Sequence, residues 1–306
     1  MNAAVLTAAL KDEALRLGFD LVAATPAIAS PDFDRLQQWL AEGRAGEMHF
    51  FADRLAAYRH PDQLLDGAKS VLMLATNYRT VEPVKPGPGQ AAVSRYAWGA
   101  DYHELIRRRL HGLADYHRRL VPGASVRGVV DTAPLLERQF GRLAGVGWIG
   151  KNTLLINERF GSWLFLAALL TSEELAYESS PAADRCGSCR RCLDACPTGA
   201  LFEPHRLDAR KCIGYLTIES RGHMPDEVRG ACGRRLFGCD ACQEACPWNH
   251  QTPITAENGF YPAPGMNPVQ LDDVASLDEE GFRRRFRHTP LWRAKREGIL
   301  RNMHAS

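Results

Sequence analysis

An α/β or α+β domain, joined to a small cysteine-built module and a short basic helical C-terminus, is the fold class this sequence predicts. Three observations predict it. Segments of helical and strand period alternate from residue 3 to residue 170, all nine cysteines lie at or beyond position 186, and an arginine-rich helical pattern follows a Pro/Gly-containing stretch after residue 251. With 306 residues the chain can bury a sizeable core, in one large or two to three smaller units. Its 45% apolar and 24% charged content is that of an ordinary globular protein. A net charge of +2 gives no overall pull toward nucleic acid or membrane, so a polyanion site must be a local patch.

Apolar residues at helical spacing run from Ala3 to Leu17 and stop at Gly18, which suits a left-handed C-terminal position. Phe19 to Ala24 then reads as a strand. Ser30-Pro31 has the form of an N-cap with proline at the first helical position, and Gly43 closes that second helix. Ser70 to Ala75 is a continuous apolar run of the kind found in buried strands. Val81 to Gly89 is a loop, and Asp101 to Leu120 a long helix whose Arg107, Arg108, Arg109, Arg118 and Arg119 read as a solvated face. Val126 to Val130 is a short buried strand. Thr153 to Asn157 and Ser162 to Leu170 flank Glu158-Arg159-Phe160-Gly161 as a hairpin, and Glu173 to Asp184 is a polar linker.

The first cysteine run is Cys186-x2-Cys189-x2-Cys192-x3-Cys196-Pro197. The second, preceded by Cys212, is Cys239-x2-Cys242-x3-Cys246-Pro247, a degenerate repeat of the first. Thiolates are soft ligands suited to iron–sulfur clusters, and two-residue spacing lets one tight turn aim neighbouring sulfurs at a single cubane. In two-cluster ferredoxins the cysteine before the proline ligates the other cluster. That rule assigns Cys186, Cys189, Cys192 and Cys246 to one [4Fe–4S] cluster and Cys196, Cys212, Cys239 and Cys242 to a second. Zinc ribbons also use paired Cys-x2-Cys motifs, but zinc leaves the triple run and its proline unexplained. One cluster would suffice as a brace, so two linked clusters favour electron transfer. Cys232 is left over, as a buried or weakly reactive thiol. Clustered thiols and an N-terminus without a basic-then-apolar run give a cytoplasmic expectation, and Trp163 to Leu170 is too short to span a bilayer.

No Gly-x-Gly-x-x-Gly follows a strand and there is no P-loop, so neither a dinucleotide-binding unit nor an NTPase is expected. Asp131 is the most suggestive carboxylate. It follows a strand and precedes Thr132-Ala133-Pro134, and in a half-buried cleft its pKa would rise toward that of a proton donor. On position alone, capping the next turn is the commoner job for such an aspartate. From Phe282 to His288, and on through Trp292, Arg293, Lys295, Arg296 and Arg301, basic residues interleave with aromatics. That composition suits a phosphate backbone and unstacked bases. It equally suits an amphipathic helix with its aromatics in the core.

Val130-Asp-Thr-Ala-Pro-Leu-Leu-Glu-Arg138, Gly147-Trp-Ile-Gly-Lys-Asn-Thr153 and Ser94-Arg-Tyr-Ala-Trp-Gly-Ala-Asp-Tyr-His103 together resemble the epoxyqueuosine reductase family. So do Cys212-Ile-Gly-Tyr-Leu-Thr-Ile-Glu219 and Cys242-Gln-Glu-Ala-Cys-Pro-Trp-Asn249, and the resemblance extends from the first helix to about Asn302. It implies a cobalamin-binding domain, akin to nitroreductase-like B12-processing proteins, at residues 1–175. A two-[4Fe–4S] bacterial ferredoxin-like module follows at 176–252, and a basic helical segment able to contact tRNA at 253–306. The activity implied is the last step of queuosine synthesis, removal of the epoxide oxygen of epoxyqueuosine at the wobble position of a tRNA anticodon. Electrons would come from an external flavodoxin or ferredoxin, pass one at a time through the clusters, and reach the cobalamin. Asp131 matches the proposed proton donor; Arg54, Ser94, Lys151 and Asn152 fall, with Asp131, in segments lining the cobalamin. Ser94 stands where some members carry a cysteine.

A monomer without membrane attachment is expected. The longer members' C-terminal helical-repeat domain is expected to be absent or reduced. A reductive dehalogenase pairs the same cofactors, but typically carries a twin-arginine signal and a larger catalytic domain. A pure iron–sulfur carrier binding no corrin would leave an α/β domain of this size without a role.

Overall fold

In the computed structural model, which describes residues 1–177 and 181–303, helix α1 (Ala3–Arg16) starts at Asn2, whose side chain accepts from the Val5 N–H. It ends before Gly18, where φ is +95°. Strands β1 (Leu21–Pro26), β2 (Ser70–Asn77), β7 (Leu164–Thr171) and β4 (Val126–Val129) form a sheet in the order β1-β2-β7-β4, with every pair antiparallel. The class is therefore α+β.

Both faces of this sheet are covered. Leu72 and Leu74 pack with residues of α1 and of α4 (Tyr102–Leu120), while Val71, Met73 and Ala75 pack with Phe140 of α5 (Glu137–Leu143). That is why β2 reads as an unbroken apolar run rather than an alternating one.

Three local expectations differ. Helix α2 (Phe33–Ala41) begins with Asp32 at its N-cap, because Phe33 N–H bonds back to Ser30 O and Ser30 N–H is taken by Arg59 O. Ser30-Pro31 is thus the preceding turn, although Gly43 does close the helix at φ +65°. The expected hairpin is paired otherwise: β6 (Leu155–Ile156) returns on β5 (Trp148–Ile149). The cause is a tight turn in which Gly150 N–H bonds Leu154 O and Thr153 takes φ +69°. Only the bridge between Asn157 and Gly161 spans the Glu158 turn. Finally, Arg109 is not solvated; its side chain is 13% exposed, and its guanidinium pairs with Glu257 and donates to Gly18 O at 2.8 Å.

Beyond the one-turn helix α3 (Phe50–Asp53) and the sheet, the cysteine module holds α6 (Arg191–Asp194) and the hairpin β8 (Leu201–Glu203)–β9 (Arg206–Leu207). Helices α7 (Ile213–Ile218) and α8 (Asp226–Cys232), strand β10 (Arg235–Phe237) and helix α9 (Ala241–Glu244) complete it. A second sheet, β10-β3-β11, joins β3 (Gln90–Val93) and β11 (Val269–Gln270), taking one strand from each of the three expected segments. Trp98, Phe237, Phe282, Phe286 and Leu291 lie in one core beneath it. The helices α10 (Leu271–Ala275), α11 (Glu279–Phe286) and α12 (Lys295–Met303) therefore share their packing with the rest of the chain.

Of the expected linker, residues 178–180 lie outside the described residues. Its start is docked: Leu175 is 2% exposed, and the Ala176 N–H donates to Thr7 Oγ1. Cys232 is fully buried against Met224, 3.3 Å from its sulfur. Among the described residues no helix is long and apolar enough to cross a membrane.

Candidate functional site

Asp131 closes β4 in a left-handed conformation, φ +50°, which costs a non-glycine residue free energy. Its surroundings hold it there. The Asp131 N–H donates to Glu137 Oε1 at 2.7 Å, and Oδ2 accepts from Tyr102 Oη at 2.7 Å. His103 Nε2 lies 3.0 Å from the same Oδ2, while its Nδ1 lies 2.7 Å from Asp101 Oδ1. Asp101 is the N-cap of α4 and also accepts the His103 N–H. With a carboxylate at each nitrogen, the imidazole is held as the doubly protonated cation. The Tyr102 ring, stacked on Phe165 at 4.1 Å and 8°, fixes the start of this chain.

The titration behaviour follows from those contacts. Burial opposes charge on His103, but the hydrogen bonds to Asp101 and Asp131 overcome it and raise its pKa to about 9. Burial alone would raise Asp131; the hydrogen bonds from His103 and Tyr102 outweigh it and hold the carboxyl below its usual range. This corrects the expectation of an elevated pKa: the acid at neutral pH is His103, and Asp131 is the carboxylate beside it. Glu137, pushed up to about 8 by burial and by Asp131, is the neutral partner.

The Asp131 side chain is 56% exposed although protein surrounds it on most sides, and Tyr96, Glu137 and Arg138 are also deeply set yet reach solvent. That combination marks the floor of a wide recess. Arg138 donates to Thr153 O at 2.8 Å and interacts electrostatically with Asp131 on one side and Cys242 on the other. The recess therefore lies between the Asp131 loop and the cysteine module.

The cysteines form two groups, each drawing on both runs. Cys246 interacts with Cys186, Cys192 and Cys189, and these four line a cavity of about 150 Å³ with Lys151, Asn152 and Trp248. Cys242 interacts with Cys239, Cys212 and Cys196. The backbone shows the repeat behind this crossing. Leu193 N–H to Arg190 O and Cys196 N–H to Leu193 O recur fifty residues later as Gln243 N–H to Asp240 O and Cys246 N–H to Gln243 O. One helical turn thus carries Cys192 or Cys242, and the chain then turns away at the cysteine before each proline.

The chemistry of these groups fits a cluster. Trp148 is 2% exposed, and its Nε1 has no oxygen or nitrogen partner; the Cys186 thiol is the group it acts on. Burial pushes the Cys239 and Cys246 thiols up to about 11, so their thiolates need a bound cation. No three described thiol, imidazole or carboxyl groups converge as a single ion would require. The four cysteines around the cavity would hold a cubane between them.

Of the residues expected along the corrin, Arg54 donates to Thr132 O at 3.0 Å, next to Asp131. Ser94 is buried, takes Phe237 O through its N–H, and hydrogen-bonds the carboxyl of Asp240 with its side chain. Lys151 and Asn152 contact the cysteine loops. The Lys151 ammonium donates to Gly187 O and Cys189 O at 2.5 and 2.9 Å, and the Asn152 amide faces Cys242 O at 3.5 Å. Both serve the cysteine loops. Tyr102, His103, Glu137 and Arg138 had no role assigned from sequence, although all four lie inside the quoted motifs; what marks them, contact with Asp131, exists only in three dimensions.

Comparison with known proteins follows this geometry. Residues 185–249 match the 4Fe-4S double cluster binding domain, and residues 59–132 the model for epoxyqueuosine reductase QueG, DUF1730. An epoxyqueuosine reductase of Pseudomonas aeruginosa is 40% identical over 302 residues, covering 97% of this chain and 84% of that protein. Its counterpart in Cyclobacterium marinum is 36% identical and covers 97% and 96%. Among solved structures, an epoxyqueuosine reductase with an epoxyqueuosine-modified tRNA-Tyr stem loop superposes with a TM-score of 0.93, at 30% identity over 99% of this chain and 81% of that one. The Bacillus subtilis enzyme, with its aspartate catalytic loop swung out of the active site, gives 0.92 at 29% identity, again over 99% and 81%. A catabolic reductive dehalogenase, 17% identical with a TM-score of 0.50 over 85% of this chain and 33% of its own, shares the fold alone. The chain belongs to the epoxyqueuosine reductase family.

Proposed function

We propose that this chain reduces epoxyqueuosine to queuosine in a tRNA anticodon loop, with Asp131 as proton donor. The observation that carries the reading is Asp131 itself, tied to a protonated His103 on the floor of a recess that abuts the cysteine module. Cys186, Cys189, Cys192 and Cys246 would hold one [4Fe–4S] cluster, and Cys196, Cys212, Cys239 and Cys242 the other. Cobalamin would occupy the recess, against Asp131, Arg54 and the Ser94 segment. When bound, the clusters supply one-electron transfer and the cobalamin a strongly reducing cobalt centre.

The chain's own residues do the rest. Removing the epoxide oxygen as water consumes two electrons and two protons and leaves the alkene. His103 Nε2 passes a proton to Asp131 Oδ2 across their 3.0 Å contact, and Asp131 delivers it to the departing oxygen. Asp101 keeps the imidazole oriented, and Tyr102 anchors the carboxylate. Cys186 and Cys189 sit in surface loops and Cys192 on the one-turn α6, whereas Cys212 and Cys242 are deeper, so the first group would hold its cluster nearer the surface and the second would hold its cluster nearer the recess. An external low-potential flavodoxin or ferredoxin supplies them, to a monomer working in the cytoplasm.

Anaerobic turnover tests this. The protein with clusters and cobalamin restored is mixed with an epoxyqueuosine-bearing stem-loop and a low-potential reductant, and the nucleosides are weighed. Loss of the mass of one oxygen atom, reduced ~10²–10⁴-fold in Asp131→Asn, is the expected result. No mass change with both cofactors bound would sink the assignment.

A further inference from the structure

The expected tRNA-contacting segment divides into spent and unspent charges. Phe282 and Phe286 are core, at 1% and 0% exposure. Arg284 pairs with Glu280, Arg293 with Glu219 and Arg296 with Glu279. Arg301 donates to the carbonyls of Leu216, Ser220 and Gly222. Arg293, Arg296 and Arg301 tie the segment to other elements, while Arg284 is paired within α11. Arg283 and Arg287 have no acidic partner in an ion pair among the described residues, and both are exposed. One turn apart on α11, they share a face, where like charges repel unless an anion lies between them.

That face lines a cavity of about 320 Å³, together with His288, Trp292 and Glu104. Lys295 lies 4.0 Å over the Trp292 ring and adds a further cation to the rim. The one acidic wall, Glu104, is already engaged with His288 at 3.5 Å. The cavity is also wired to the reaction site. His288 O accepts the Asp101 N–H at 2.8 Å, and Asp101 is the residue that orients His103 against Asp131.

We propose that this groove between α11 and the start of α4 binds the sugar–phosphate backbone of the tRNA stem-loop beside the nucleotide that reaches Asp131. The inference rests on the reading of the chain as an epoxyqueuosine reductase. Arg283 and Arg287 form the paired guanidinium clamp that a phosphate accepts from two sides, and Lys295, held over the Trp292 ring, adds a third cation beside it. A groove one residue from the proton relay fixes the register of the strand, so that the modified base alone enters the recess.

The test is stem-loop binding by the cofactor-loaded enzyme over a series of salt concentrations, alongside turnover. Arg283→Ala/Arg287→Ala is compared with the wild type and with Arg119→Ala, which removes a charge about 24 Å along α4 from His103 at 1.5 Å per residue. The double variant is expected to bind at least tenfold more weakly, with KM raised and kcat at saturation kept. Its log affinity–log salt slope should be shallower by about 0.7, the share of the one single-strand phosphate left without its clamp. The Arg119→Ala protein should match the wild type. Wild type that converts the stem-loop, with the double variant matching it in affinity and slope, overturns the groove. Wild type that binds but fails to convert sinks the underlying reading instead. A double variant that binds RNA normally but loses turnover with flavodoxin, and not with a chemical reductant, gives the groove to an acidic donor protein and overturns the nucleic-acid assignment.

Discussion

The four-stranded sheet and the cysteine module reach stability by opposite routes. Strand β2 is buried at all eight residues, and its Leu72, Met73 and Leu74 are fully inaccessible, so the sheet is built from apolar surface removed from water on both faces. The module has a small cluster of its own, around Ile213, Leu216, Met224, Val228 and Cys232, lends Leu236 and Phe237 to the core it shares with the C-terminal helices, and otherwise gathers polar turns around cysteines. Eight of those cysteines are turned toward one another, and burial pushes up the thiols of Cys186, Cys192, Cys212, Cys239, Cys242 and Cys246, an arrangement that costs free energy until a cation takes it up. The sheet makes a site because it is already folded. In the module, cluster binding would supply folding free energy that its smaller core does not.

The largest effect that would break this contrast is loss of one deep ligand. Cys242→Ser should abolish turnover, halve the bound iron and lower the module's thermal midpoint, while far-ultraviolet dichroism still reports an intact sheet domain. Metal binding free energy is folding free energy in such units, and losing even ~2 kcal/mol moves a unit of this size by about 10 °C. If removal of iron instead melts the whole chain in one transition, the shared core of Trp98, Phe237 and Phe286 transmits the loss, and the two regions are one cooperative unit.

A smaller effect lies at the seam. His103 is raised to about 9 from an ordinary value of 6.5, so its folded state prefers the protonated ring. The stabilisation is fully present below about pH 6.5 and disappears as pH rises through 9. The kcat/KM profile should fall on its alkaline side with an apparent pKa near 9. In His103→Gln that limb should vanish, the plateau should drop by about tenfold to a hundredfold, and Asp131, relieved of the neighbouring cation, should titrate higher. An unchanged alkaline limb in the variant would remove His103 from the proton path.

How much of this was legible in the sequence depends on the range of the interaction. Gly18, Gly43 and the β2 run announce themselves through local backbone rules, and the cysteine spacing encodes the crossed grouping because one turn of helix fixes it. Pairing across the chain does not announce itself. Thr153 to Asn157 looked fit to pair with the strand that follows, and only the Gly150 turn, folding back on Trp148, settles the partner. Asp131 was legible from its place just after a strand and inside the Val130–Arg138 motif. Its charge state was missed because it depends on His103, twenty-eight residues away in sequence.

The smallest expected effect sharpens the comparison most. Cys232 is the one cysteine that behaves like the sheet's residues: inaccessible, packed with Met224 and Val228, and offered to no other thiol. Its thiol is raised by burial, with Arg235 only partly offsetting it, so it is an inert apolar filler. Cys232→Ala should therefore cost about 1 kcal/mol, the size of a small group removed from a packed interior, and leave iron content and turnover at wild-type values. The measurement is a denaturant melt of the cofactor-loaded protein beside an iron assay. Loss of iron would show Cys232 to be a ligand and one of the other eight to be spare. A cost several times larger would show that the module depends on its apolar cluster as the sheet does, and the distinction between the two regions would become one of degree.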